Sequence, residues 1–239
     1  MRVLALDTAT EACSAALLVG TEVRERYELA PRQHANLILM MVDQLLAESG
    51  IGLGQLDGLA FGRGPGGFTG VRIATGVVQG LAFGAALPVA PVSTLQALAY
   101  GAWRELGQER VLAAIDARMD EVYWGAYELE ASDEGRTMVL RGEERVAAPI
   151  AVNVPSSGAS WFGAGSGWYA HGPALAQVVG ERLAGREDTR YPHAHDIAVL
   201  GAAALRRGEG VAAEQALPVY LRDEVAWKRS EPVGGPGSA

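Results

Sequence analysis

The residues in this chain whose types and spacing could do chemistry are a run of glycines and two aspartates. Gly62, Gly64 and Gly67 form a G-x-G-x-x-G spacing inside Phe61-Gly62-Arg63-Gly64-Pro65-Gly66-Gly67-Phe68-Thr69-Gly70-Val71-Arg72. Between a strand and a helix, that spacing lets the backbone approach a pyrophosphate that the helix N-terminus then faces. The remaining requirements fail. No Asp or Glu occurs between Asp57 and Glu105, so the acid that would hold a ribose is missing. Pro65 takes one N–H out of the turn, and no Gly-Lys-Ser/Thr exists to make a Walker A loop. The glycines therefore read as a tight bend from strand into helix.

Asp7 and Asp116 each close an apolar strand, Val3-Leu4-Ala5-Leu6 in one case and Val111-Leu112-Ala113-Ala114-Ile115 in the other. Two carboxylates so placed could position a metal–phosphate between two lobes, or simply cap two strand ends. Cys13 is the single cysteine, which excludes an intrachain disulfide and a cysteine-based zinc cluster. Its apolar neighbours read as core. His193 and His195 have a spacing that could ligate metal, but Tyr191-Pro192 beside them reads as a surface loop. In Gly163-Ala164-Gly165-Ser166-Gly167 the serine is in the wrong place for a nucleophile elbow. The chain is poor in catalytic constellations, and no metal site is expected.

The elements that would position these residues repeat. Strands are expected at 2–7, 13–19 and 23–29, the last with the alternating charges of an edge. A helix follows from Gln33 to a cap at Gly50, then a strand at 56–61, a helix at 69–84, a strand at 88–92 and a helix from Ser93 or Thr94 to about Trp103. At Arg110 the pattern starts again with a second Asp-tipped hairpin, 111–127, a charged peripheral hairpin at 128–145, a strand from Trp161 into a glycine turn, and helices at 174–183 and 196–207. This is a weak internal repeat of an α/β unit. The expected domains are an N-terminal lobe at 1–107, a C-terminal lobe at 108–230 and a flexible tail at 231–239.

Two helices carry more apolar surface than one sheet can cover. Past Thr69, the helix at 69–84 has only Arg72, Thr75 and Gln79 as polar residues, and Gly76, Gly80 and Gly84 recur every fourth position. The other helix holds six apolar residues in a row from Leu37 to Val42, and these point in every direction around its axis. The surplus calls for another layer or another subunit. The residues expected at such an interface are Leu37, Met40, Met41, Gln44, Val71, Arg72, Ala74, Thr75, Val78, Gln79 and Ala82, with Val78→Glu or Ala74→Asp expected to break it. The net charge of −8, with Lys228 the only lysine, makes this chain alone a poor ligand for nucleic acid. The N-terminus has no basic segment followed by an apolar one, and no apolar run is long enough to span a bilayer, so the expected location is the cytoplasm.

Gly64-Pro65-Gly66-Gly67-Phe68-Thr69-Gly70-Val71-Arg72 closely resembles the signature of the TsaB family, formerly YeaZ. Leu4-Ala5-Leu6-Asp7-Thr8-Ala9-Thr10, Ile115-Asp116-Ala117-Arg118-Met119-Asp120-Glu121-Val122-Tyr123 and Pro218-Val219-Tyr220-Leu221-Arg222 resemble it too, in order along nearly the whole chain. The resemblance implies an α/β fold of the actin-like, sugar-kinase and Hsp70 (ASKHA) type, with two duplicated lobes. It implies a non-catalytic scaffold that activates a TsaD-type transferase in forming N6-threonylcarbamoyladenosine next to the tRNA anticodon. The implied partners are that transferase as a heterodimer, a TsaE-type ATPase, a second copy of the chain when the transferase is absent, and tRNA only through the complex. No cofactor is implied. The transferase's metal-binding histidines fall, in register, on Thr94 and Leu98. Asp7, Thr8 and Asp116 are the positions where a nucleotide could touch, although Ala117-Arg118-Met119 stands where an ATP-binding relative would have a Gly-Gly turn. An ATP-dependent phosphotransferase of the same fold and a peptidase are the alternative readings.

Overall fold

The computed structural model describes residues 1–132, 135–156 and 158–222. The tail expected at 231–239 and the last eight residues expected in the second lobe lie outside them. The described residues fold into two sheets. The first contains β1 (Arg2–Asp7), β2 (Ala12–Val19), β3 (Glu22–Leu29), β4 (Gly58–Gly62) and β5 (Val89–Val92) in the order β3-β2-β1-β4-β5. The second contains β6 (Arg110–Arg118), β7 (Glu121–Ser132), β8 (Gly135–Leu140), β9 (Arg145–Ala147), β10 (Trp161–Ala164) and β11 (Leu183–Glu187). Its order is β11-β10-β6-β7-β8, with β9 alongside β7. In each sheet three antiparallel strands from a hairpin and its extension are followed by two parallel ones, in matching order. The repeat that two Asp-tipped strands hint at is thus a repeat of sheet topology.

Among the described residues five α-helices cover the sheets: α1 (His34–Ser49), α2 (Phe68–Ala85), α3 (Thr94–Leu106), α4 (Ser166–Val179) and α5 (Ala194–Arg206). Because successive strand residues face opposite sides, β1 sends Leu4 and Leu6 toward α1 and α2, and Val3 and Ala5 to the other side. On the first side, Leu17 and Phe61 meet Ile38, Ala74 and Val78. In the second lobe α4 packs Trp168 and Leu175 on Leu112, Ala114 and Trp124. The layer between the sheets is exchanged. The last helix, α5, lies on β1, β2, β4 and β5 of the first sheet, while α3 lies on β6, β7 and β8 of the second. Arg104 of α3 grips Asp196 of α5 through Nε at 2.7 Å and a second guanidinium nitrogen at 3.2 Å. The two sheets, built from residues 2–92 and 110–187, thus share one central core.

The second half departs from the sequence reading in one instructive place. A helix expected at 174–183 begins at Ser166 and ends at Val179, with a local break at His171 (φ −132°) ahead of Pro173. The strand does run into a glycine turn at Gly165 (φ +111°), while Gly163 before it makes room for an indole. A Cβ on Gly163 would overlap the Trp168 ring, whose Nε1 donates to the Leu112 carbonyl at 2.9 Å. The strands β9 and β11 are short and half-buried, and carry no apolar alternation that sequence reading could find.

Candidate functional site

The glycine-rich stretch leaves β4 and enters α2 by lying on the tip of the first hairpin. Gly62 sits against Asp7, where a Cβ would overlap the carboxylate oxygen Oδ2. A Cβ on Gly66 would overlap the Ala9 carbonyl oxygen, and one on Gly70 that of Thr8. Gly64 adopts φ +96°, a left-handed backbone that favours glycine, and a Cβ there would lie 2.8 Å from the Val219 carbonyl oxygen. Two hydrogen bonds clamp the contact: Gly67 N–H donates to Ala9 O at 2.7 Å, and the Thr8 hydroxyl donates to Gly70 O at 2.7 Å. The space beside these glycines is filled by this chain's own atoms, the Asp7 side chain at Gly62 and backbone carbonyls at Gly64, Gly66 and Gly70.

That packing seals Asp7. Its Oδ1 accepts from Ala9 N–H at 3.0 Å, while Oδ2 is buried without a partner. Burial pushes the carboxyl up to about 7, against the Ala9 hydrogen bond and the nearby His193. Asp7 therefore does not reach the space between the lobes, contrary to its expected role as a nucleotide contact. Thr8 and Asp116 do line that space, a cavity of about 780 Å³ between the two hairpin tips and the first turns of α1 and α2.

Arg118 crosses the cavity mouth, bonded to Asp116 at 2.7 Å and to Glu11 of the opposite hairpin at 2.8 Å. The tip it stands on, Arg118-Met119-Asp120, holds three successive non-glycine residues at φ 60°, 56° and 57°. Each such residue costs about 1 kcal/mol or more, so the tip needs outside support. Arg222 supplies part of it, donating to the Ala117 carbonyl at 3.2 Å and pairing with Glu121. The closing Pro218–Arg222 stretch reaches both lobes, since Val219 N–H also donates to Arg63 O at 2.7 Å. Tyr220 stands 5.8 Å from Phe68, and the Arg72 guanidinium lies 3.4 Å over the Phe68 ring.

On the outer side of the first lobe, α1 and α2 present a different surface. Of the eleven residues expected there, Met41, Val71, Ala74, Thr75, Val78 and Ala82 turn inward and are buried. Ala74 and Val78 touch the sheet core, so Ala74→Asp and Val78→Glu would bury a charge rather than break a contact between subunits. Leu37 is half-buried, and Gln79 donates to the Ala216 carbonyl at 3.1 Å. Met40, Gln44 and Arg72 remain on the outside. They are joined by residues the sequence reading passed over: Phe83 at 82 % exposure, Phe68 at 57 % and Leu39 at 52 %. Gly76, Gly80 and Gly84 lie on this face, and a Cβ on any of them would meet nothing within 4 Å.

The other candidate residues have structural employment. Burial pushes the Cys13 thiol up to about 12, with Asp7 and Glu28 adding to the shift, which removes it as a nucleophile. His193 stacks on Tyr27 at 4.2 Å and bonds Glu25 at 3.0 Å, tying the start of α5 to β3. Thr94 accepts from Gly64 N–H at 3.2 Å, and Leu98 is in the central core. Among the described residues no group of three or more His, Cys, Asp or Glu side chains is arranged to hold a metal ion, and no helix is long and apolar enough to cross a membrane.

Comparison with known proteins matches residues 27–230 to the family model of TsaD, tRNA N6-adenosine threonylcarbamoyltransferase. The tRNA threonylcarbamoyladenosine biosynthesis protein TsaB of Escherichia coli K12 is 46 % identical over 96 % of this chain and 98 % of its own. The protein of the same name from Haemophilus influenzae is 44 % identical over 96 % and 97 %. Among solved structures, YeaZ from Pseudomonas aeruginosa superposes with a TM-score of 0.85 at 53 % identity, over 92 % of this chain and 99 % of that one. A second structure at the same identity is described as an uncharacterized protein with similarity to peptidase YeaZ.

Proposed function

The chain belongs to the TsaD family and, within it, to the TsaB proteins of tRNA threonylcarbamoyladenosine biosynthesis, and we propose on that premise that it serves as the docking and activating subunit for a TsaD-type transferase. The observation that carries this reading is the outer face of α1 and α2. Phe83 of α2 and Leu39 and Met40 of α1 stand exposed, and Gly76, Gly80 and Gly84 of α2 have open space above them. Large exposed apolar side chains on helices that the chain's own core does not cover suit an interaction surface, and glycines let a partner helix come close. A subunit of related fold offers a matching helical pair. The same face would join two copies of the chain when the transferase is absent, and a TsaE-type ATPase would join the heterodimer.

The ASKHA relationship agrees with the matching order of the two sheets and with the exchanged helices between them. A non-catalytic role agrees with Thr94 and Leu98, neither of which offers an imidazole to a metal, and with Asp7 being shut away from the interlobe cavity. The peptidase reading finds no support in Cys13, whose thiol stays protonated. The net charge of −8 fits a subunit that meets tRNA through its partner, in the cytoplasm.

The test uses residues on the outside of the helices. Phe83→Asp and Gly80→Glu should leave the circular dichroism and thermal transition of the chain intact. Each should abolish co-sedimentation with a TsaD-type subunit, and with it tRNA modification in a reaction reconstituted from transferase, ATPase and this chain. Pairing retained by both folded variants would overturn the proposed face.

A further inference from the structure

A second cavity, of about 600 Å³, shares no lining residue with the one between the hairpin tips. Its walls come from both halves of the chain, with Arg63 and Ser93 from the first and Tyr127, Met138, Leu140 and Glu144 from the second. Three of these residues are joined. The Tyr127 and Ser93 hydroxyls both donate to Glu144 Oε1, and they lie 3.4 Å from each other. Ser93 also caps α3, accepting from Gln96 N–H at 3.2 Å, which fixes the direction of its side chain. Tyr127 is buried, and burial with Glu144 beside it holds the phenol well above its usual range, so it remains a donor. Glu144 is thereby fixed as an acceptor on the cavity wall. Both bonds land on Oε1, and Oε2 takes part in neither.

Arg63 starts beside this cluster. The parallel register of β4 and β5 ends with Gly62 opposite Val92, and Arg63 N–H still donates to Val92 O at 2.9 Å. Arg63 and Ser93 are the next pair in that register, with backbones one strand spacing apart, about 5 Å. The charge of Arg63 also reaches the Tyr127 phenol, where it opposes the effect of burial. Yet among the described residues the half-buried Arg63 guanidinium makes no hydrogen bond or ion pair, with Glu144 or any other group. The other charges on the cavity are engaged: Glu143 pairs with Arg145, and Arg207 holds Glu209 through two nitrogens. One guanidinium and one carboxylate thus line the same cavity without neutralising each other, and charges drawn partly out of water are costly until something completes them.

We propose that this cavity binds a free α-amino acid with an uncharged side chain, its carboxylate on Arg63 and its ammonium on Glu144. A bipolar head completes one guanidinium and one fixed carboxylate at once, and both contacts are charge-assisted hydrogen bonds. A purely anionic ligand would meet Glu144, and a purely cationic one Arg63, so each is disfavoured. Met138, Val139 and Leu140 offer apolar surface to the side chain, and the volume is that of a small-molecule pocket. Ser93 and Tyr127 are positioning residues that act through Glu144. Because the head joins Arg63 of the first half to Glu144 of the second, the bound ligand ties the two halves together. The site needs nothing from the docking face, since no lining residue belongs to α1 or α2.

Calorimetric titration of the full chain with each of the uncharged protein amino acids tests it, followed by the amide and the N-acetyl form of the tightest binder. That amino acid should bind at one site per chain. Its amide lacks the carboxylate and its N-acetyl form lacks the ammonium, so each should bind about tenfold more weakly or worse. Glu144→Gln keeps an acceptor for both hydroxyls, so the fold should hold by circular dichroism. It should weaken the amino acid about tenfold and leave the N-acetyl form unchanged, since that ligand has no ammonium to lose. Arg63→Gln should weaken the amino acid as much and leave the amide unchanged. A substitution that merely disturbed the fold would move all three ligands together. The saturating amino acid should also raise the thermal transition of the unmutated chain and not that of Arg63→Gln. No binding of any amino acid at millimolar concentration, equal binding of the amino acid and its N-acetyl form, or affinity untouched by both substitutions would each overturn the site.

Discussion

Two sets of glycines in one continuous segment have opposite surroundings. Gly62, Gly64, Gly66 and Gly70 are pressed against Asp7, Val219, Ala9 and Thr8, and a Cβ on any of them would collide with its neighbour. Gly76, Gly80 and Gly84, a few residues on, face open space. The first set is explained by this chain's own fold. The second is unexplained by it, since a helix gains stability when alanine replaces a glycine that nothing requires. A glycine for which its own chain has no use is what the proposed docking face would require.

The largest effect that tests this contrast lies under Gly62, at Asp7. Its carboxyl is raised from 3.8 to about 7, so the folded state holds the proton after the unfolded state has released it. Stability is then lost as pH rises from about 4 to 7, by at most ~4 kcal/mol at 1.4 kcal/mol per unit. Urea denaturation across that range should show this component in the unmutated chain and not in Asp7→Asn. Identical pH profiles for the two would mean that Gly62 and its neighbours leave Asp7 in contact with water. Next comes Gly70→Ala, which drives a methyl into the Thr8 carbonyl and should lower stability by about 2–3 kcal/mol. An unchanged denaturation midpoint would erase the difference between the two glycine sets.

The outward set should respond with the opposite sign. Phe83→Ala removes an exposed aromatic ring and should weaken pairing with a TsaD-type subunit by about tenfold or more, measured by sedimentation, with little change in the stability of the chain alone. Smallest, Gly76→Ala should stabilise the isolated chain by about 0.5–1 kcal/mol while slowing or weakening pairing. A variant more stable and equally able to pair would leave this glycine without a reason.

Much of the architecture was legible. The strand-to-helix bend at 62–70, the helix behind it and the restart at Arg110 all follow from apolar runs, turn residues and spacing, which are local properties. The resemblance of four motifs to the TsaB family was legible for the same reason. The second half was harder. Gly163 and Gly167 read as a turn because a glycine's lack of a side chain does not say whether it serves a bend or a close neighbour, which is Trp168 for the first and Ala114 for the second. The candidate interface was legible as two helices and obscure as a set of residues.

The sequence by itself determined that α2 is a helix with glycines every fourth position and apolar residues nearly all round. It could not determine which side faces the sheet, because Arg72, Thr75 and Gln79 are too narrow a polar stripe to fix the phase of a helix otherwise apolar nearly all round. The tertiary structure decided that: the helix's angle on β1 and β4 turns Ala74, Val78 and Ala82 inward and leaves Gly76, Gly80 and Phe83 outside. It likewise decided that α3 and α5 exchange sheets, a choice made by contacts nearly a hundred residues apart, such as Arg104 with Asp196. Local pattern sets what an element is, and only long-range packing sets which of its faces is left for a partner.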